Sequence, residues 1–294
     1  MSGWSRRREL PHECQPLRER FICVHLRHSV VIYYGMPGMI TDVWRYHELL
    51  GTLAIRNIKI RYKDSVLGFL WTLLGPIFLI LIYAACLRIM RVDISLPVLV
   101  TGIFVWQYLA MCLGDSAHSI VGNANLIKKA AFPRIVLPMS MVLANLVNFL
   151  LSLIVVGVYL MVVGIRPGQI GWMPLILLTH VALCAGISLI LSALNVFFRD
   201  IQQITSVLTM AWFFMTPVIY PIEMVTNHFR EPLLLQLFFV NPMTGLLCAY
   251  RSGLLGSAMP AAALWVPSFA VAWLTLLIGT FVFQKSQLRF ADEL

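Results

Sequence analysis

Basic side chains recur on one face of a predicted helix, where together they can bind an anionic group. Polar residues between positions 42 and 65 repeat every three or four residues, and apolar residues repeat on the opposite face. This period predicts an amphipathic helix that lies along a membrane surface. Its cations are suited to collecting an anionic lipid headgroup, and the candidates are Arg56, Lys59, Arg61 and Lys63. The alternative is a helix that serves only as an anchor.

A second basic segment, NANLIKKAAFPR at residues 123–134, lies between two of the most apolar parts of the chain. Gly122 and Asn123 are suited to ending one helix, and Pro133 is suited to starting the next. The segment between them, 124–131, is long enough for about two turns of helix across the face of a membrane. On these residues alone, a loop that only carries positive charge is the simpler interpretation.

The chain carries no sequence pattern for covalent or metal chemistry. It has no GxxxxGK[ST] phosphate-binding loop, no HExxH helix and no GxSxG turn. Asp93, Asp115 and Asp200 are too scattered to suggest a metal site, and the six cysteines form no CxxC pair. We therefore predict a chain that is not an enzyme and that has neither a metal site nor a cofactor of its own.

The residue composition is that of a membrane protein. Of the 294 residues, 60% are hydrophobic and only 12% are charged, and the mean hydropathy is +0.83. A helix of about 20 apolar residues crosses the hydrocarbon core of a bilayer. Seven windows with little or no charge approach that length, and they are two within 66–110, then 135–165, 167–198, 201–222, 232–250 and 252–284.

One of these windows, 232–250, contains Asn241-Pro242 and then Gly245, which would break a membrane-spanning helix. We predict a broken, re-entrant pair of short helices there and six spans in total, so that both termini lie on one side. Most of the 22 Lys and Arg residues fall on that side, and their excess marks it as cytoplasmic. The expected fold class is therefore all-α and integral to the membrane, with six transmembrane helices after the amphipathic interfacial helix and the re-entrant pair before the last span.

The first 41 residues fit neither a signal peptide nor a span. The run SRRREL resembles the start of a twin-arginine signal, but the following PHECQPLRER is polar where an apolar segment is required. We expect residues 1–41 to be disordered, or translation to begin at Met36 or Met39. The remaining divisions are the amphipathic helix at 42–65 and the six-span membrane domain at 66–294.

Five short motifs occur in an order that resembles one known family. They are RYKDSVLGFLWTLLGPIFLILIY at 61–83, LIKKAAFPRIVLPMS at 126–140, NVFFRDI at 195–201, TPVIYP at 216–221 and NPMTGLLCAYRSGLLG at 241–256. Together they closely resemble the permease subunit of type-2 ABC exporters of cell-surface polysaccharides, which move lipid-linked O-antigen or teichoic acid. The resemblance runs from about Asp42 to the end of the chain.

This resemblance implies a homodimer with two copies of a cytoplasmic ABC ATPase subunit. The ATPase would bind the ATP and Mg that this chain has no phosphate-binding loop to hold. The resemblance also implies that segment 123–134 is the coupling helix, which sits in a cleft of the ATPase. The expected coupling residues are Asn125, Leu126, Ile127, Lys128, Lys129, Phe132 and Arg134, with Arg199 and Asp200 as a secondary contact.

Aromatic residues are plentiful in three of the predicted spans. Ring faces stack on the apolar faces of sugars without requiring one pattern of hydroxyl groups, so a long glycan can slide past them. The pore-lining candidates are Phe69, Trp71, Phe78, Trp212 and Phe213. Trp106 and Tyr220 are instead expected in the aromatic belt at the membrane interface.

The sequence thus predicts the membrane-spanning subunit of an ATP-driven exporter of lipid-linked polysaccharide in the bacterial inner membrane. The net charge of +9 is explained by topology and by anionic membrane lipid, so nucleic acid is not an expected partner. Two alternatives remain open. One is an ion-coupled secondary transporter, although the spans lack the mid-membrane carboxylates typical of that class. The other is an ABC exporter of a different substrate, such as a lipid or a drug.

Overall fold

The computed structural model describes residues 43–129, 132–228, 238, 240–257 and 262–293, and all regular structure in these ranges is helical. The leader predicted at 1–41 lies outside them. In chain order the helices are α1 His47–Tyr62, α2 Leu70–Ile89, α3 Leu96–His118, α4 Ala124–Lys129, α5 Val136–Val162, α6 Met173–Phe197, α7 Ile201–Met215, α8 Ile222–His228, α9 Pro242–Leu255, α10 Ala262–Ser286 and α11 Phe290–Glu293.

Within the described residues, five helices are long and apolar enough to cross a membrane, namely α2, α3, α5, α6 and α10. The sixth predicted span, 201–222, differs from the expectation because its helix α7 has only 15 residues, a length of about 22 Å. The helix ends at Thr216, whose backbone is extended at φ −103° and ψ 141°. Pro217 follows, and a proline disfavours the helical conformation of the residue before it.

Helix α3 is the centre of the bundle. It packs against α2, α5, α6, α7 and α9, and most of its side chains from Leu99 to Ala117 are buried. Helix α10 packs mainly along α6. These two backbones meet at a pair of glycines, since a Cβ on Gly279 would lie 2.3 Å from the carbonyl oxygen of Gly186. Contacts between small residues are a usual way for membrane helices to approach closely.

A cluster of buried apolar side chains joins several helix ends, and we call this side of the molecule the basal end. Its members include Leu53 of α1, Val136 and Leu137 of α5, Ala193 and Val196 of α6, Phe283 of α10 and Phe290 of α11. Partly buried residues of α4 pack against the same cluster. The first and last described helices therefore lie at the same end of the bundle.

The opposite side, which we call the distal end, is organised around Arg251 of α9. This side chain is only 7% exposed and donates to the carbonyl oxygens of Val98, Val218 and Tyr220 at 3.2, 2.8 and 3.1 Å. Val98 begins α3, and the other two carbonyls belong to the segment beyond α7. The chain therefore leaves the basal end of α6, follows α7 and reaches the distal end.

The helix break predicted at Asn241-Pro242 is confirmed, because α9 begins at Pro242. Asn241 caps the helix by accepting a hydrogen bond from the Met243 backbone N–H at 3.1 Å, and its oxygen also accepts from the Trp212 indole at 3.0 Å. Nearly all of α9 is buried, from Met243 to Gly253. Residues 232–237 and 239 of the predicted broken pair lie outside the described residues.

Candidate functional site

The sequence suggested a helix that lies flat along the membrane surface. In the structure, α1 instead runs along α5 towards the middle of that helix. Successive residues of α1 bond to successively later residues of α5, so the C-terminal half of α1 points towards the middle of that helix. The asparagines of α5 supply bonding partners that a purely apolar span would lack. The pairs are Asn57 with Ser140, Arg61 with Asn145 and Tyr62 with Asn148, at 3.0, 2.8 and 3.3 Å.

The four cations predicted to bind an anionic headgroup fall into two groups. Arg61 forms an ion pair with Asp115 of α3, and Arg56 donates to the Asn123 side chain at 2.9 Å. Lys59 and Lys63 are exposed, and they line a groove of about 390 Å³ on the outward face of α1. Both arginines therefore have contacts within the subunit, while both lysines point outwards.

Two isoleucines of the same groove were missed by the sequence pattern. Ile55 and Ile60 line the groove between the cations, and they are 55% and 58% exposed. The polar face of α1 is therefore a mixed surface of lysine and isoleucine. Such a surface suits the boundary between lipid headgroups and acyl chains, where lysine stems extend towards the polar layer.

The short helix predicted in the basic segment is present as α4. Asn125, Lys128 and Lys129 are exposed on it. In contrast, Leu126 and Ile127 pack against the basal cluster of their own subunit. Sequence reasoning assigned these apolar side chains to an ATPase contact, whereas the structure uses them to seat α4 on the bundle.

The other predicted coupling residues surround α4 at the basal end. Phe132 packs against the basal cluster, and the Arg134 guanidinium donates to the carbonyl oxygen of Gln287. Arg199 and Asp200 are exposed in the turn between α6 and α7. The structure therefore brings all of the predicted coupling residues to one end, with an outer set that is exposed and an inner set that is packed.

The aromatic residues do not separate into a pore-lining set and an interfacial set as predicted. Trp106 is 5% exposed and contacts the rings of Trp212 and Phe213, with centroids 5.9 and 5.6 Å away. Its assignment to an interfacial belt is therefore wrong, because hydropathy does not reveal that this face of α3 turns inwards. Phe213 is also enclosed, at 9% exposed, and stacks on Tyr83 at 5.7 Å.

The remaining pore candidates are more open. Trp71 and Phe78 of α2 are 54% and 55% exposed, while Phe69 and Trp212 are partly buried. Tyr220 is also partly buried, and its hydroxyl donates to the Phe214 carbonyl at 3.0 Å. The outward rings of α2 are thus the accessible part of the predicted set.

The aspartates named in the sequence lie apart in the structure. Asp115 pairs with Arg61, Asp200 precedes α7, and Asp93 is exposed between α2 and α3. In the part of the chain that the structure describes, no three His, Cys, Asp or Glu side chains come together in a way that could hold a metal ion.

Comparisons with known proteins agree on the family to which this chain is similar. The family model of the ABC-2 type transporter matches residues 48–255. An O-antigen export system permease protein RfbA from Klebsiella pneumoniae is 33% identical over 253 residues, which cover 84% of this chain and 95% of that protein. A protein of the same name from Myxococcus xanthus is 33% identical over 267 residues, which cover 88% of this chain and 100% of that protein.

Proposed function

We propose, since the chain belongs to the ABC-2 type transporter family, that it is the membrane-spanning subunit of an ATP-driven exporter of lipid-linked polysaccharide in the bacterial inner membrane. The observation that carries this proposal is the similarity to O-antigen export permeases along nearly the whole of their length. The substrate class proposed is therefore a glycan of the O-antigen type attached to a lipid carrier.

Six membrane crossings account best for the positions of the helix ends. The basal end holds both α1 and α11, so the number of crossings between them is even. Five helices have the length of a span, and the sixth crossing is assigned to α7 with the extended segment up to Tyr220. This segment starts at the basal end of α6 and finishes beside Val98 at the distal end. With the excess of positive charge as the guide, the basal end and both termini are cytoplasmic.

Helix α9 has the features of a re-entrant helix. It is too short to span, at 14 residues, yet it packs between α3, α6 and α10. The Tyr250 ring of α9 lies 5.9 Å from the ring of Phe149, which is near the middle of α5. A helix that enters the bilayer in this way is stable only if protein surrounds it, and the burial of α9 meets that requirement.

Helices α2 and α7 have faces that no other described residue covers, and we assign these to the homodimer and its pore. Only 17% of the α2 span is buried, and α7 buries only Thr205 and Phe213. Both helices pack on α3, and they meet where Tyr83 stacks on Phe213. The proposed glycan path follows the open side of this pair, with Trp71 and Phe78 among its accessible rings.

The energy for transport is assigned to a partner, because this chain has no phosphate-binding loop. Two ATPase subunits would bind ATP and Mg and would contact the basal end. The exposed side chains of α4 and of the α6–α7 turn form the contact surface, and they are Asn125, Lys128, Lys129, Arg199 and Asp200. This surface carries three cations and one carboxylate and so suits a partner surface that is mainly acidic.

Deletion of the chain in a bacterium that makes the polysaccharide tests the proposal. We expect the polysaccharide to disappear from the cell surface while its lipid-linked form accumulates on the cytoplasmic side of the inner membrane. Loss of ATP hydrolysis in the partner subunit is expected to have the same effect. Normal surface polysaccharide after deletion, or export that continues on a proton gradient with an inactive ATPase, would contradict it.

A further inference from the structure

We propose that Arg61, Asp115 and Asn145 form a latch that holds α1 against α3 and α5, and that the phosphate of a lipid-linked substrate opens it by replacing Asp115 on Arg61. This inference rests on the proposed function, because it concerns how the exporter detects its substrate. It assigns the detection to the ion pair of Arg61 and Asp115, and it connects that pair to the ATPase through α1 and α4.

The latch is a closed triangle of side chains from three helices. Arg61 forms an ion pair with Asp115 through its Nη2 atom, and its Nη1 atom donates to Asn145 Oδ1 at 2.8 Å. Asn145 Nδ2 in turn donates to Asp115 Oδ2 at 2.8 Å. Each of the three side chains thus contacts the other two, so removal of any one leaves the others incompletely bonded.

The charged members of the latch can be reached from outside. The side chains of Arg61 and Asp115 are 25% and 34% exposed, whereas Asn145 is only 1% exposed. A competing anion can therefore approach the ion pair without unfolding the protein. The buried amide keeps a bond to Arg61 during such an exchange.

A phosphate is a suitable competitor for Asp115. Arginine presents two parallel N–H groups that match the oxygens of a phosphate as well as those of a carboxylate. Exchange of one for the other therefore needs no new type of contact. A partly exposed ion pair contributes little net stability, which makes the exchange reversible.

The groove on the outward face of α1 favours a phosphorylated lipid over a free phosphate ion as the anion that gathers on this helix. Lys59 and Lys63 are on the same helix as Arg61 and raise the local concentration of anions. Ile55 and Ile60 line the same groove, and a free phosphate makes no favourable contact with an apolar surface. A phosphorylated lipid can contact the isoleucines with its chain and the lysines with its headgroup on this outward face, and the headgroup then passes to Arg61 on the inner face.

The helix that the latch holds is also connected to α4. Arg56 donates to Asn123 at 2.9 Å, in the turn that immediately precedes α4. Release of Arg61 loosens the C-terminal half of α1, which then keeps only its neutral bonds through Asn57 and Tyr62, while the bond of Arg56 remains. A phosphate bound at the latch can thus alter the position of α4, which carries the proposed ATPase contact.

The other hydrogen bonds of α1 to α2 and α5 join neutral groups and serve as a comparison. Asn57 bonds to Ser140, and Tyr62 bonds to Thr72 and Asn148. An anion does not displace these groups by charge. The latch is thus the part of the α1 interface that responds to a phosphate.

The test measures ATP hydrolysis by the permease–ATPase complex in vesicles of phosphatidylcholine. In the natural protein, a long-chain lipid diphosphate is expected to stimulate hydrolysis, while soluble pyrophosphate is not. The variant Asp115→Asn is expected to hydrolyse ATP about fivefold faster without lipid, as follows from losing one partly exposed ion pair. Added lipid diphosphate should then have little further effect.

Two further variants separate the latch from general damage. The exchange of charges, Arg61→Asp with Asp115→Arg, restores the pair and is expected to return hydrolysis to its low rate, but without stimulation. Asn57→Ala removes a neutral contact of α1 and should keep normal stimulation. A natural response in Asp115→Asn would overturn the latch, as would equal stimulation by soluble pyrophosphate. If export persists in such a case, only the latch fails. If the natural complex does not export the glycan, the proposed function fails.

Discussion

Replacement of Lys128 and Lys129 by glutamate is expected to abolish both export and copurification of the ATPase while the permease stays folded. Both side chains are exposed on α4, and Leu126 and Ile127 pack α4 against the basal cluster. Reversal of two charges on a surface that meets an acidic partner creates repulsion of several kcal/mol, or about a hundredfold or more in affinity. The measurements are copurification of the ATPase and surface polysaccharide in cells.

A matched variant controls for the change in charge. Lys285→Glu with Arg289→Glu reverses two exposed charges at the same end of the bundle, at the C-terminal end of α10 instead of on α4, and is expected to leave ATPase binding intact. Leu126→Ser with Ile127→Ser should instead reduce the stability of the permease itself, because both side chains pack on the basal cluster. Normal copurification by the double glutamate variant would contradict the assignment of α4.

Arg251→Met is expected to destabilise the distal end by about 3 kcal/mol or more, because three carbonyl groups lose their donor. Methionine cannot replace the guanidinium, because the guanidinium donates hydrogen bonds to three carbonyl groups. Each buried carbonyl that loses its donor costs about 1–3 kcal/mol. The measurement is thermal unfolding of the purified protein in detergent.

Two other substitutions sharpen this prediction. Gly102→Ala should produce a similar loss without altering a charge, since a Cβ there would lie 2.1 Å from the Val218 carbonyl oxygen and 3.0 Å from Arg251 Nη2. Arg166→Met removes an exposed arginine from the α5–α6 connection, and its effect should stay within about 0.5 kcal/mol. Equal unfolding temperatures for the variants at 251 and 166 would show that the arginine is dispensable.

Most of the helical plan could be predicted from composition, because a span needs a long uncharged window and little else. The windows of α2, α3, α5, α6 and α10 meet that requirement. The window at 201–222 was misleading, since the absence of charge says nothing about helix termination. Thr216-Pro217 ends α7 early, and only the folded protein reveals that Arg251 satisfies the carbonyls that follow.

The site was less accessible to sequence reasoning, because its partners are distant along the chain. Arg61 resembles its neighbouring cations in sequence, yet it bonds to Asp115 and Asn145, which are 54 and 84 residues away. Leu126 and Ile127 present a similar difficulty, since an apolar residue in a basic loop can pack on its own subunit or on another. In the structure both side chains are partly buried and pack on the basal cluster of their own subunit. The orientation of each helix about its own axis explains why Trp106 was misassigned.

The most direct test of the account is transport by purified components. The chain and its ATPase partner are reconstituted into vesicles with labelled lipid-linked glycan, and the glycan that appears on the opposite side of the membrane is measured. We predict that movement requires the permease, the ATPase and hydrolysable ATP together, and that a proton gradient does not replace ATP. Movement by the permease alone on a proton gradient, or failure of the complete system to move the glycan with ATP, would contradict the account.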